Sequence, residues 1–209
     1  MTDLFRYTLL ADGTSDAVLI PIVNWLLRQH LPGVRIVPAF ARDFGKVGND
    51  LNSRVEAALR HFPCDLLFIH RDAEAMSRDQ RLSEIDLVMR NIDDPYVPII
   101  PIRMSEAWLL ADEDAIRFAA GNASGRIQLH LPGRQRWESL ADPKKTLISA
   151  LGLASGKAGR ALDKFKPEKA RHLITPRSTS FAALRGLSAF DAFEAGLIIQ
   201  LERIRNALD

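Results

Sequence analysis

Asp72 and Glu74 stand just past a run of four apolar residues, 66–69, closed by His70 and Arg71. Such a run reads as a fully buried, parallel strand. In extended chain, residues two apart point to the same side, so both acids leave the strand end together. Carboxylates held that close repel each other, and a divalent cation is their natural neutraliser. The carboxyl end of a buried strand is also where open α/β sheets bind their ligands. The plainer alternative is a solvated loop with two acids, or Asp72 capping the next helix.

Other expected strand ends carry acids too. Asp12 and Asp16 follow a first strand at 4–10, and Arg103 and Glu106 follow a fourth at about 96–104. Five carboxylates from separate strand ends form a hard-oxygen donor set that selects magnesium, manganese or calcium over zinc. Asp12 and Asp16 would equally serve a turn and the positive end of a helix dipole, and Glu106 has the same alternative. His70, at a buried strand end, is expected to be a hydrogen-bonded structural residue. After the second strand come Arg42, Gly45, Lys46 and Gly48. Backbone amides with Arg42 and Lys46 suit a phosphate, although no Walker A pattern is present, and the same residues also suit a loop that binds nothing. Trp108 and Trp137 are expected in the core.

The elements that must position these residues alternate. Strands are expected at 4–10, 34–40, 66–69 and 96–104. Pro98 and Pro101 argue that the last is an edge or bent strand. Helices are expected over 17–27 (kinked or starting late at Pro21), 50–61 and 78–91, then a short one capped by Ser105. Four alternations of strand and helix predict an α/β fold, a Rossmann-like, mostly parallel four-stranded sheet flanked by helices. From about 115 the pattern turns helical. Asp142-Pro143 marks a helix start, and further helices are expected at about 143–151, 167–174, 178–186 and 189–207. Phe190, Phe193, Leu197 and Leu201 share a face in the last. The division is therefore an α/β domain over 1–114 and a helical appendage over 115–209, packed on it.

The 209 residues carry a net charge of +2, unevenly spread: from 126 to 177 there are 12 Lys/Arg against 4 Asp/Glu, leaving −6 on the remainder. An acidic sheet edge beside a basic helical segment suits a metal-using enzyme on a polyanion such as nucleic acid, or is simply the solvated face of ordinary helices. One cysteine excludes an internal disulfide framework and a cysteine-rich zinc site. No stretch approaches the ~20 apolar residues of a membrane span, and the opening residues lack a secretion signal, so a cytoplasmic protein with no membrane partner is expected.

Asp-Gly-Thr-Ser-Asp (12–16), Asp-Ala-Glu (72–74) and Arg-Met-Ser-Glu-Ala-Trp-Leu-Leu-Ala-Asp (103–112), in that order, resemble the Toprim (topoisomerase–primase) domain. The nearest resemblance is to a bacterial Toprim-like family of unknown function, often encoded beside an ATPase. Nucleases of the overcoming-lysogenisation-defect family carry similar signatures. The likeness covers roughly 4–112, and the segment Asp-Pro-Lys-Lys also looks like the bacterial family. It implies a Toprim-like fold, a role in phosphodiester chemistry for Asp12, and magnesium binding by Asp72 and Glu74. Two departures stand out: Asp12 replaces the usual Glu, and Glu74 the usual Asp. Neither Tyr7, in a strand, nor Tyr96, near a turn, suggests a topoisomerase nucleophile.

The leading expectation is a magnesium-dependent (or manganese-dependent) nuclease. Asp12, Asp72 and Glu74 would be catalytic, and Asp12, Asp16, Asp72, Glu74 and Glu106 would be metal ligands. Arg42, Lys46 and Arg103 would bind phosphate, and the resemblance implies nucleic acid and an ATPase as partners. The rivals are a non-catalytic regulatory or interaction subunit of an ATPase system, and a small-molecule phosphohydrolase using Asp72 as nucleophile.

Overall fold

Every residue of the third strand is buried, and the rest of the sheet is built outward from it. The computed structural model describes residues 4–42, 44, 47, 48 and 50–207. Strands β1 (Leu4–Leu10), β2 (Arg35–Ala41), β3 (Leu66–His70) and β4 (Tyr96–Ile99) form one sheet in the order β2-β1-β3-β4. All pairs are parallel; Leu10 lies between Ala41 and Ile69, and His70 faces Ile99. β4 is shorter than expected and lies at the edge, as Pro98 and Pro101 require. Past its end the pairing continues as loop: Arg71, Ala73 and Glu74 donate their N–H groups to the carbonyls of Ile99, Pro101 and Arg103.

A turn of 3-10 helix at Thr14–Val18 precedes α1 (Leu19–His30), which begins later than the apolar run suggests. Pro21 falls in its first turn, where a missing N–H costs little. Helices α2 (Leu51–His61) and α3 (Arg78–Met89) are capped by Asp50 and Ser77. The short α4 (Glu106–Leu109) follows Ser105, whose side chain makes no capping bond. Asp112 caps α5 (Glu113–Ala119), and Asp142 caps α6 (Pro143–Ala154) with Pro at the first helical position. Single turns α7 (Arg160–Asp163) and α8 (Pro167–Ala170) lead to the long α9 (Ser188–Asn206). The helix expected at 178–186 is only a 3-10 turn at Ala182–Leu184.

Helices lie on both faces of the sheet. Leu67 and Ile69 point to one face and pack with Val55 and Ala58 of α2 and Ile85 and Met89 of α3. Leu66 and Phe68 point to the other, where α1 and α9 lie. Parallel crossovers share one hand. The reversal from β1→β2 to β2→β3→β4 therefore puts α2 and α3 together and leaves α1 with half a face to cover. α9 fills the other half: Phe193 meets Phe68 edge-on at 5.9 Å, and Phe190 meets Trp108 at 5.4 Å. Its first amides donate to the carboxylate of Glu138, at 2.9 Å from both Ser188 and Ala189. One apolar cluster runs from Phe5 to Leu201 and includes Trp108 and Trp137, so both halves of the chain share a core. Among the described residues no helix is long and apolar enough to cross a membrane.

Candidate functional site

The chain moves from β1 to one side and from β2 back across to β3, so the sheet's switch point lies between the carboxyl ends of β1 and β3, where α/β folds open a crevice. Residues 11–16 and 71–74 form its two walls.

Asp72, Asp16, Glu106 and His70 come together there. His70 is 2% exposed, and its Nδ1 lies 3.0 Å from the carbonyl of Ile99. A carbonyl only accepts, so Nδ1 carries the proton, and Nε2 is turned toward Asp72 Oδ1 at 3.6 Å and Asp16 Oδ2 at 4.0 Å. The structural bond expected of His70 is present, but its other nitrogen faces the acids. Asp16 also serves its turn, accepting the Gly13 N–H at 2.9 Å. Asp72 Oδ1 accepts the N–H of Ser105 at 2.8 Å. Ser105 thus contributes its backbone to the site.

Asp72 is held far from its ordinary acidity. Its pKa is pushed up to about 6, chiefly by burial; repulsion from Glu106 and Asp16 adds to this, while His70 and the Ser105 amide oppose it. Among the described residues no arginine or lysine pairs with its carboxylate. Glu106 differs: its carboxylate, 8% exposed, pairs with Arg171, whose side chain is 11% exposed. Arg171 lies on the 3-10 turn Arg171–Leu173, after α8. The neighbouring His172 has its pKa lowered by burial and by Arg171, opposed by Glu168 and Asp16. The basic segment therefore forms a wall of the crevice.

Asp12 and Glu74 belong to a different environment. Asp12 Oδ1 lies 2.8 Å from Arg54 Nη1, and Oδ2 lies 2.8 Å from Arg71 Nε. Glu74 does not share a direction with Asp72. The chain leaves extended geometry there, with φ at 53°, and the alternation rule stops. The Glu74 side chain is 63% exposed and lies 3.7 Å from Arg81. Arg103, also left-handed with φ at 67°, sits opposite and donates from Nη1 to the Glu74 carbonyl at 3.4 Å. Arg42 lines a hollow beside Asp12, and Lys46 lies outside the described residues. Among the described residues no group of three or more His, Cys, Asp or Glu side chains is arranged to hold a metal ion.

The donor chemistry still suits magnesium. That ion keeps several waters and takes one or two carboxylates plus substrate phosphate, without needing a closed protein cage. Asp16 and Asp72 are two such carboxylates, and the pKa of Asp72 is pushed up to about 6 chiefly by burial. A larger cavity, about 710 Å³, opens at the amino end of the strands among Phe5, Tyr96, Leu201 and Ile204 and contains none of these acids. The phenols play no part either: Tyr7 is fully buried, and Tyr96 donates to Asp86.

Arg54, Arg71 and Arg171 lie outside the sequence motifs that carry the acids. Arg71 adjoins Asp72, which was a usable signal. Arg54 and Arg171 lie 42 and 65 residues from their acids, and nothing local points to either pairing. Comparison with protein-family models, curated proteins and solved structures finds no match to this chain.

Proposed function

We propose that the protein is a magnesium-dependent phosphodiester hydrolase acting on nucleic acid, in the manner of a Toprim-like nuclease, with Asp16 and Asp72 holding the ion. One observation carries the reading. Two carboxylates from different strands meet at the switch point, and one of them, Asp72, is raised to about 6 by burial and by its acidic neighbours. Acidities shifted this far cluster at functional sites.

When bound, magnesium supplies charge neutralisation at the phosphate and acidifies a water for attack. The chain's residues do the rest. Asp72 and Asp16 present oxygens on one side of the crevice, and the Ser105 amide fixes the rotation of Asp72. His70, its tautomer set by Ile99, takes or returns a proton at Nε2. Arg103 and Arg42 offer cationic contacts to the phosphodiester at the rim. Lys157, Lys164, Lys166 and Lys169 line a shallow groove on the basic segment, whose chain leads on to Arg171 and His172. A polyanion lying there would be drawn toward the crevice.

The test is cleavage of plasmid and single-stranded DNA with magnesium or manganese, comparing the parent with Asp72→Ala and Asp16→Ala. Cleavage that falls to background in both variants supports the reading. Cleavage unaffected by either removes it. The second reading, a non-catalytic subunit working with an ATPase, is favoured by the engagement of Asp12 and Glu74 with arginines. Magnesium binding by calorimetry without cleavage, with or without such a partner, would support it.

A further inference from the structure

We propose that Arg54 and Arg71 form a phosphate-binding site whose resting occupant is the carboxylate of Asp12, a displaceable competitor for the anion and not a metal ligand. The nature of the anion rests on the phosphodiester reading above; the site itself rests on geometry. Three elements converge: Asp12 after β1, Arg54 from α2 and Arg71 after β3. The two guanidinium groups reach opposite oxygens of one carboxylate, each at 2.8 Å. Planar guanidinium groups placed around a small oxyanion are the arrangement that also suits phosphate.

The arginines are not saturated by Asp12. Arg54 is anchored by donating from its other terminal nitrogen to the carbonyl of Ala11. Arg71 Nε, although close to Asp12, is off the angle of a hydrogen bond and is a buried donor without such a partner. Arg71 Nη1 lies 3.8 Å from Glu84, whose carboxylate is already held by Arg81 at 2.9 Å. Asp12, by contrast, is 47% exposed, so water competes for it and its release costs little. A hollow of about 380 Å³ opens beside Asp12 and Arg54, lined also by Gly13, Thr14 and Arg42, while Arg71 reaches Asp12 from outside that lining. An incoming phosphate oxyanion takes over the guanidinium donors, and the Asp12 carboxylate moves to solvent. One anion replaces another, and no bond is made or broken.

Titration calorimetry in EDTA, which prevents magnesium-dependent cleavage, tests this with inorganic phosphate and with a 5′-phosphorylated single-stranded oligonucleotide. Asp12→Asn removes the competitor and should tighten binding about two- to fivefold, the worth of a partly exposed ion pair. Arg54→Met and Arg71→Met should each weaken it about tenfold, as loss of a charge-assisted bond does. Adding Arg54→Met to Asp12→Asn should cancel the gain. Tightening toward both probes assigns a general phosphate site, and tightening toward the oligonucleotide alone assigns a nucleic-acid backbone. Unchanged or weaker binding of both probes by Asp12→Asn overturns the proposal. Should that variant not fold, unchanged affinity in Arg54→Met overturns it equally. Tighter binding by Asp12→Asn of a protein that never cleaves upholds this site and sinks the hydrolase. A parent that cleaves, with Asp12→Asn losing cleavage without tighter binding, does the reverse.

Discussion

The acids around the crevice fall into an inner and an outer region. Inside, Asp72 and Asp16 face each other across His70, with no arginine or lysine on Asp72 among the described residues, and Glu106 is sealed against Arg171. Outside, Asp12 and Glu74 are largely exposed and lie beside Arg54, Arg71 and Arg81. Equal charges at such different burial have unequal energetic weight. A solvated carboxylate near an arginine contributes little to stability either way. A half-buried one such as Asp72, its side chain 25% exposed and with no arginine or lysine on it among the described residues, opposes folding at neutral pH, which points to a functional reason.

The inner wall should be the most sensitive to mutation. Arg171→Met leaves Glu106 buried and unpaired and should cost about 3–5 kcal/mol in urea unfolding, whereas Glu106→Leu/Arg171→Met should recover most of it. A cost below about 1 kcal/mol would mean that water reaches Glu106 and the two regions do not differ.

Asp72 gives the next largest effect, with a sign that depends on pH. Its folded pKa, about 6, lies above its unfolded value, so the native state binds more protons between about pH 4 and pH 6. Stability from this group is present below pH 4 and is lost as pH rises through 6. Asp72→Asn keeps an acceptor for the Ser105 amide and removes the charge. It should stabilise the protein by up to about 3 kcal/mol at pH 7.5 and by nearly nothing at pH 4, measured by denaturant titration at both pH values. Equal effects at the two pH values would contradict the buried charge.

Magnesium should sharpen the contrast further. At pH 7.5 it should raise the melting temperature of the parent by about 2–4 °C per kcal/mol of binding-linked stability, and leave Asp72→Asn unmoved. The outer region gives the smallest response: Glu74→Gln should shift stability by less than about 0.5 kcal/mol.

The pattern of buried strands was legible because it is local. β1 matches its expected span, the cap at Asp142 is backbone chemistry within a few residues, and the stripe Phe190, Phe193, Leu197, Leu201 announces a buried helix face. The site was legible to the level of which strand ends carry acids. Which acids meet was not. Side-chain alternation places Glu74 beside Asp72 only while the chain stays extended, and the left-handed turn at Glu74 is set by pairing with the 99–103 segment. Ser105 has the composition of a cap, but its backbone takes a helical conformation and its N–H is spent on Asp72. Arg54 and Arg171 come from segments remote from their acids, so much of the charge balance at the crevice is decided by tertiary contacts.

The closing role of α9 bears on the order in which the protein can be made. A nascent chain that has emerged up to about residue 187 holds a sheet with Phe68 and Val97 bare on one side, awaiting a cover still inside the ribosome. Such a nascent chain exposes a sticky face for as long as the last helix takes to emerge, and is vulnerable to aggregation over that interval. A chain cut after residue 187 should therefore collect in the insoluble fraction even though every residue of the crevice is present.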